Sequence, residues 1–144
     1  MFENSFTMQT IEIMRRGLDA AALRHEVIAD NLANIDTPDF KKSYVTFEDE
    51  LKFALSRSPK PSFVARQTDP RHLVFDKPGP SVEDVKPRML RQTDTIYRKD
   101  GNNVDIDIEM TELAKNTIQY DVLSRQISTS FQRILDTIRS LRSA

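Results

Sequence analysis

All seven prolines of this 144-residue chain fall between positions 38 and 87: Pro38, Pro59, Pro61, Pro70, Pro78, Pro80 and Pro87. Proline removes a backbone donor and clashes with the preceding helical turn, so it is kept out of helix interiors. Long helices can therefore run only at the two ends of the chain, and both ends carry the pattern of one. In the first, Ile11, Met14, Leu18, Ala21, His25, Ile28, Leu32 and Ile35 recur at alternating steps of three and four, which is a heptad seam. Arg15, Arg16, Asp19, Arg24, Glu26 and Asp30 fall off it, as an amphipathic helix requires. The spacing predicts a helix from about Thr7 to Ala33. It should stop near Asn34, because Asp36-Thr37-Pro38 follows and the residue before a proline is pushed out of the α region.

The C-terminal end keeps the same steps without a slip through Met110, Leu113, Thr117, Tyr120, Ser124, Ile127, Phe131, Ile134, Ile138 and Leu141. Asp105 or Asp107 can cap its start, Glu109 and Glu112 sit in the first turns, and Arg139 and Arg142 sit in the last. Each placement favours the helix dipole. The expected fold is mainly α: two long heptad helices forming a coiled-coil-like pair, with a Pro-rich middle between them. The division is 1–35 for the N-terminal helical segment, 36–105 for the middle and 106–144 for the C-terminal helix.

The middle is made of different material. Phe47 to Leu55 can form a short helix, whereas 56–61 and 70–87 are dense in proline, serine and charge and read as extended or disordered loop. Met89 to Tyr97 is the best strand candidate, and Asp100-Gly101 supplies a turn, so a small β-hairpin is expected within 89–105.

The content of the chain removes most catalytic readings. Without cysteine there is no disulfide, thiolate metal site or thiol nucleophile, and 21 basic against 22 acidic residues leave no polycationic footprint for nucleic acid. The two histidines, His25 and His72, form no local metal pair. His25, on the heptad seam, reads as a packed, hydrogen-bonded residue, and His72 as a solvated or capping one. Three scattered glycines cannot build a phosphate cradle. Asp105, Asp107, Glu109 and Glu112 are the one acidic cluster from which a metalloenzyme reading could start. They lack the Gly and Glu spacing of a calcium loop and read better as the acidic start of a helix. No enzyme and no cofactor are expected. The longest apolar run, Ala20 to Leu23, is far too short to span a bilayer, and the first residues show neither the basic nor the apolar region of a cleaved secretory signal.

Hydrophobic residues make up 38% of the chain, a thin supply for a core. Two paired helices leave much of each apolar stripe uncovered, which predicts self-association or hetero-association along them.

The segment Ala29-Asp30-Asn31-Leu32-Ala33-Asn34-Ile35-Asp36-Thr37-Pro38-Asp39-Phe40-Lys41-Lys42 resembles the ANNIANxxTPGYK signature of bacterial flagellar rod and hook proteins. Gly101-Asn102-Asn103-Val104-Asp105, leading into the last helix, is similar to the second half of that family's pattern. The short length and Asp69-Pro70-Arg71-His72-Leu73 resemble its proximal rod members, with the sister rod protein FlgC the nearest confusable relative. The chain departs at Asp30, Asp39 and Phe40, where the family has Asn, Gly and Tyr; if the glycine position needs a positive φ, Asp is among the few residues that tolerate it.

The resemblance implies a non-enzymatic subunit of the axial drive shaft, lying in the periplasmic rod of the basal body and exported without signal cleavage. Its implied partners are its own copies, rod and basal body proteins of the FlgC, FlgF, FlgG and FliE type, and ring and export-gate components. Carried over as signature residues are Asn31, Asn34, Thr37 and Pro38 with Asn103, Val104 and Asp105, whose expected job is to end one helix and start the other in fixed register. Phe47 and Leu51 resemble a short export-gate motif. The expected assembly seam comprises Ile11, Met14, Leu18, Ile28, Leu32, Leu113, Tyr120, Ile127, Phe131, Ile134, Ile138 and Leu141. The rival reading is a cytosolic helical adaptor or export chaperone acting through the same stripes.

Overall fold

The computed structural model describes residues 6–56, 82–93 and 101–142. Two compact units are distinguished, one comprising Met1–Thr46 with Pro87–Ala144 and the other Phe47–Lys86. The first holds both long helices, α1 (Phe6–Ala33) and α3 (Ile106–Arg142), and a small sheet of β1 (Ser43–Thr46) and β2 (Arg88–Arg91). The second holds α2 (Glu48–Ser56) and the 3-10 turn Val82–Asp84, with Phe47, Ala54 and Val85 buried. At ~1.5 Å per residue the long helices run to roughly 40 and 55 Å.

The chain is thus mainly helical, with long terminal helices and a small antiparallel sheet, as its pattern predicts. The sheet is not the local hairpin expected within 89–105, however. Its strand at Arg88–Arg91 pairs with Ser43–Thr46, in a register that sets Tyr44 opposite Leu90 and Val45 opposite Met89. A pairing this distant carries no turn signal, and a four-residue strand is too short to declare itself by alternation. The remainder of the expected hairpin, residues 94–100, lies outside the described residues, as do His72, the Asp69–Leu73 segment and most of the loop readings of 56–61 and 70–87; of their described parts, Ser56 ends α2 and Val82–Asp84 close a 3-10 turn instead of running extended.

The helices pack antiparallel. Asn31 meets Glu109, Ala21 meets Asn116 and Gly17 meets Leu123, so position rises on one helix as it falls on the other, and Arg24 reaches along the groove to Gln119. The approach is close because α1 turns small residues inward. Ala20 and Ala21 are buried, and a Cβ at Gly17 would stand 3.1 Å from a Leu123 methyl. With Gly17 across from Leu123, Phe6 is level with about residue 134, so the last two turns of α3 extend past the start of α1.

The contact face only partly coincides with each predicted seam. On α1 the column Met14, Ala21, Ile28 is buried as the pattern demands; in the other column Leu18 and Leu32 are half-buried and His25 is exposed, and Gly17, Arg24 and Asn31 meet α3 beside them. On α3 Leu113, Ile127 and Ile134 are half-buried while Tyr120 and Leu141 are exposed; Met110, Thr117 and Phe131 of the other column are exposed, whereas Glu109 and Asn116 beside it are buried and Leu123, Ser124 and Ser130 half-buried. Hydrophobic periodicity passes over these positions because several of them are polar. They are inside because their polar atoms find partners there. His25, expected to be packed, is exposed.

On the surface of α1, Arg15 donates to Glu12 at 2.7 and 2.9 Å, and Arg16 lies 3.0 Å from the same carboxylate. The hydrogen bond from Arg15 holds the Glu12 carboxyl below the usual carboxylate range. Exposed pairs of this kind contribute well under about 1 kcal/mol.

Candidate assembly site

Two features of the first unit bear on assembly: a polar junction that locks the two helices to the sheet, and an apolar face left open beside their contact. The junction is built where α1 ends and α3 begins. Asn34 closes α1. Its backbone N–H reaches Asp30 O at 3.2 Å, its amide donates to the same carbonyl at 2.9 Å, and its Oδ1 accepts the Thr37 hydroxyl at 3.3 Å. The chain then turns at Thr37, whose N–H donates to Asn34 O at 3.0 Å, and Pro38 prevents the helix from resuming. Asp39, at the signature's glycine position, has φ 59°, the left-handed conformation that Asp tolerates better than most residues. Gly101, at φ 80°, passes so close that a Cβ there would run into the Asp39 carboxylate.

Three buried asparagines stitch these segments together. Asn102, fully buried, donates through Nδ2 to the carbonyls of Asn34, Ile35 and Thr37 at 3.1, 2.9 and 3.0 Å, and accepts Val104 N–H at 2.7 Å. Asn103 Oδ1 accepts Lys42 N–H at 2.7 Å and its amide donates to Gln92 O at 2.9 Å, which ties the loop to the residues just before β1 and just after β2. Asn31 Oδ1 accepts Ser43 N–H at 2.9 Å while its Nδ2 donates to Ser43 O at 2.8 Å and Glu109 Oε2 at 3.1 Å. An asparagine on a helix thereby pairs with a strand residue as a neighbouring strand would. The buried Glu109 also meets Lys42 Nζ at 3.3 Å. Val104 is buried beneath this network.

Asp105 caps α3: its Oδ1 accepts Asp107 N–H at 2.9 Å and Ile108 N–H at 3.4 Å, and its carbonyl takes Glu109 N–H at 3.0 Å. The acidic cluster therefore does not converge. Asp105 caps, Asp107 is exposed and Glu109 points into the junction, and no group of three metal-ligating side chains exists among the described residues. Asp105→Ala is expected to destabilise the chain by about 1 kcal/mol, the usual contribution of such a cap, measured as a lower urea midpoint at unchanged slope.

Of the residues read as signature, the junction brings Asn31, Asn34, Thr37, Asn103, Val104 and Asp105 together. Sequence reading passed over Asn102 and took Glu109 for an ordinary first-turn acid. The only signal available for Asn102 was its place inside the quoted Gly-Asn-Asn-Val-Asp run.

The open face is the part of the seam that the displaced packing leaves out. Ile11, Leu18 and Leu32 on α1 are half-buried, whereas Tyr120, Phe131, Ile138 and Leu141 on α3 are 46%, 49%, 57% and 75% exposed. Met110 and Leu135 add to the exposed stripe. Ala22 and His25 line one hollow with Thr117 and Tyr120, so the uncovered flanks of both helices open on the same side of the pair. Such a face suits association with further helices. Phe47 is buried and its carbonyl accepts Leu51 N–H at 2.9 Å in the first turn of α2.

Comparison with known proteins points the same way. Residues 11–41, which carry α1 and the turn after it, match the family model described as flagella basal body rod protein. The flagellar basal body rod protein FlgB of Borrelia hermsii is 40% identical over 133 residues, covering 91% of this chain and 96% of that protein. FlgB of Bacillus subtilis strain 168 is 38% identical over 87% of this chain and 89% of its own length, and FlgB of Escherichia coli K12 is 28% identical over 90% and 93%. With likeness running from end to end at this level, the chain belongs to the FlgB family of flagellar basal body rod proteins.

Proposed function

We propose that this chain is a structural, non-enzymatic subunit of the proximal rod of the flagellar basal body, assembling with its own copies and with other rod proteins into the drive shaft that transmits torque. The observation that carries the reading is 40% identity to a FlgB protein over 91% of the chain. Physical chemistry supports it. A rod subunit needs a stiff body and uncovered side surfaces. A buried polar junction supplies the first, since its hydrogen bonds fix the angle between helices and strands. The open apolar face of α1 and α3 supplies the second, and contacts that do not close on themselves generate a helical array. Torque then passes through many small interdigitated contacts.

Within this reading the seam residues work between subunits, and the signature residues set the subunit's internal register. The partners are rod and basal body proteins of the FlgC, FlgF, FlgG and FliE type, with ring and export-gate components met during export and assembly. The site of action is the periplasmic part of the basal body. No helix among the described residues is long and apolar enough to cross a membrane. Because Phe47 is buried in the folded unit, an export gate would read Phe47 and Leu51 from the unfolded chain.

The test is location. Basal bodies purified from cells carrying the tagged chain are expected to contain it, and a chain confined to the cytoplasm would instead favour the adaptor reading. Phe131→Asp, or Leu135→Asp beside it, is expected to leave the helical content and melting temperature within a few degrees of wild type, because both side chains are about half exposed. Incorporation into basal bodies and motility are expected to fall at least tenfold. Wild-type motility in both variants would remove the open face from assembly.

A further inference from the structure

The two edges of the small sheet are finished differently. Gln92 N–H donates to Lys42 O at 2.9 Å, and in an antiparallel pair bonded residues alternate with unbonded ones, so the cross-strand bonds belong to Lys42 with Gln92, Tyr44 with Leu90 and Thr46 with Arg88. Ser43, Val45, Met89 and Arg91 therefore turn their backbone N–H and C=O groups away from the ladder. On the β1 side Asn31 takes both of these groups of Ser43, at 2.9 and 2.8 Å, and Val45 is buried. On the β2 side nothing among the described residues bonds the corresponding groups of Met89 and Arg91, and all four residues of the strand are exposed. One edge is capped by a side chain and the other is open.

An open edge is a template for an extended segment, which gains main-chain bonds from it and reads the side chains along it. Those side chains run Arg88-Met89-Leu90-Arg91, two cations enclosing two apolar residues. Met89 is 61% exposed, and Leu90 lies opposite Tyr44 with both about half exposed. Arg91 is held at the edge by its own neighbours: Nε donates to Lys41 O at 3.3 Å, and the guanidinium stands 6.0 Å from the centre of the Phe40 ring. Its two terminal nitrogens are left for a carboxylate. A second copy of β2 is a poor occupant, because pairing edge to edge would gather four arginines on one short ribbon.

We propose that the outer edge of β2 takes an antiparallel, extended segment of another protein in which two acidic residues enclose two apolar ones. The acidic residues oppose Arg91 and Arg88, the apolar ones oppose Leu90 and Met89, and the segment's backbone exchanges bonds with Met89 and Arg91. This surface is distinct from the open helical face, and the rod reading does not depend on it.

The capped peptide Thr-Glu-Val-Val-Glu-Thr, added to the full chain, tests the edge by amide hydrogen exchange and fluorescence anisotropy. At saturating peptide, exchange at Met89 and Arg91 is expected to slow at least tenfold, while Leu90, already bonded to Tyr44, changes little. That alternation separates edge pairing from docking on a face of the sheet. Met89→Pro removes one outward donor and no ladder bond, so it is expected to weaken binding at least tenfold with helix content and melting temperature kept. Arg91→Glu is expected to weaken binding as much, and a peptide with lysine in place of its first glutamate to bind this variant better than it binds the wild-type chain. No slowing at millimolar peptide, equal slowing at Leu90, or unchanged binding to Met89→Pro would each overturn the proposal and leave the two arginines as guards against edge pairing.

Discussion

Replacing Asn102 with alanine should lower the stability of the chain by on the order of 3 to 5 kcal/mol, enough to leave a domain of ordinary stability partly unfolded at 37 °C. Asn102 is completely buried, and its one amide serves four backbone groups on two segments: the carbonyls of Asn34, Ile35 and Thr37 and the N–H of Val104. Its two amide hydrogens cover three carbonyls, so at least one bond is shared. Alanine removes all four bonds at once: Asn34 O and Thr37 O keep the N–H groups of Thr37 and Phe40, but the buried Val104 N–H loses its acceptor, and an unmet buried group costs roughly 1 to 3 kcal/mol beyond the bonds themselves. Asn102→Asp should be at least as damaging. The shape is kept, but a carboxylate would then face three carbonyl oxygens. Urea unfolding followed by circular dichroism checks the result, with the midpoint falling and the slope unchanged. A loss below about 0.5 kcal/mol would mean that the turn after α1 holds itself, through the Asn34–Thr37 bonds alone.

That so much rests on Asn102 explains why the sequence is legible only in part. Apolar periodicity located both long helices to within a residue or two and found one column of each contact face, Met14–Ala21–Ile28 and Leu113–Ile127–Ile134. It missed Gly17, Arg24 and Asn31 on α1 and Glu109 and Asn116 on α3, which also face the contact. A pattern that scores burial by hydrophobicity assigns such residues to solvent. Only the partner groups, brought from 78 residues away in the case of Asn31 and Glu109, make their burial favourable. For the same reason the seam read from sequence is wider than the contact in the fold, and the excess is the open face. Asp39 shows the reverse case. A departure at a glycine position led to a positive φ that the backbone has, because that conformation depends on the local turn and not on distant partners. Ser43–Thr46 illustrates the limit, a strand defined by its pairing with Arg88–Arg91 rather than by its own residues.

Lys42→Met is the second substitution with a large expected effect, a loss of about 3 kcal/mol that a second change should largely reverse. Lys42 Nζ lies 3.3 Å from Glu109 Oε1, with the two side chains 16% and 6% exposed. Removing the ammonium leaves a buried carboxylate with the Asn31 amide as its remaining partner at 3.1 Å, and an uncompensated buried charge is far more damaging than the pair is stabilising. Glu109→Gln in the Lys42→Met background removes that charge and keeps an oxygen for Asn31, so the double variant should recover 1 to 2 kcal/mol, roughly, of the loss. Glu109→Gln alone should be intermediate, because Lys42 retains access to water. Since Asn31 also pairs with both backbone groups of Ser43, the same cycle reports on the sheet. If Glu109 mainly holds Asn31 in place, amide exchange at Ser43 should quicken in Lys42→Met and slow again in the double variant. Equal stability of Lys42→Met and wild type would show that the pair is an ornament of the surface, and the register of α1 against β1 would then rest on Asn31 and Asn103 alone.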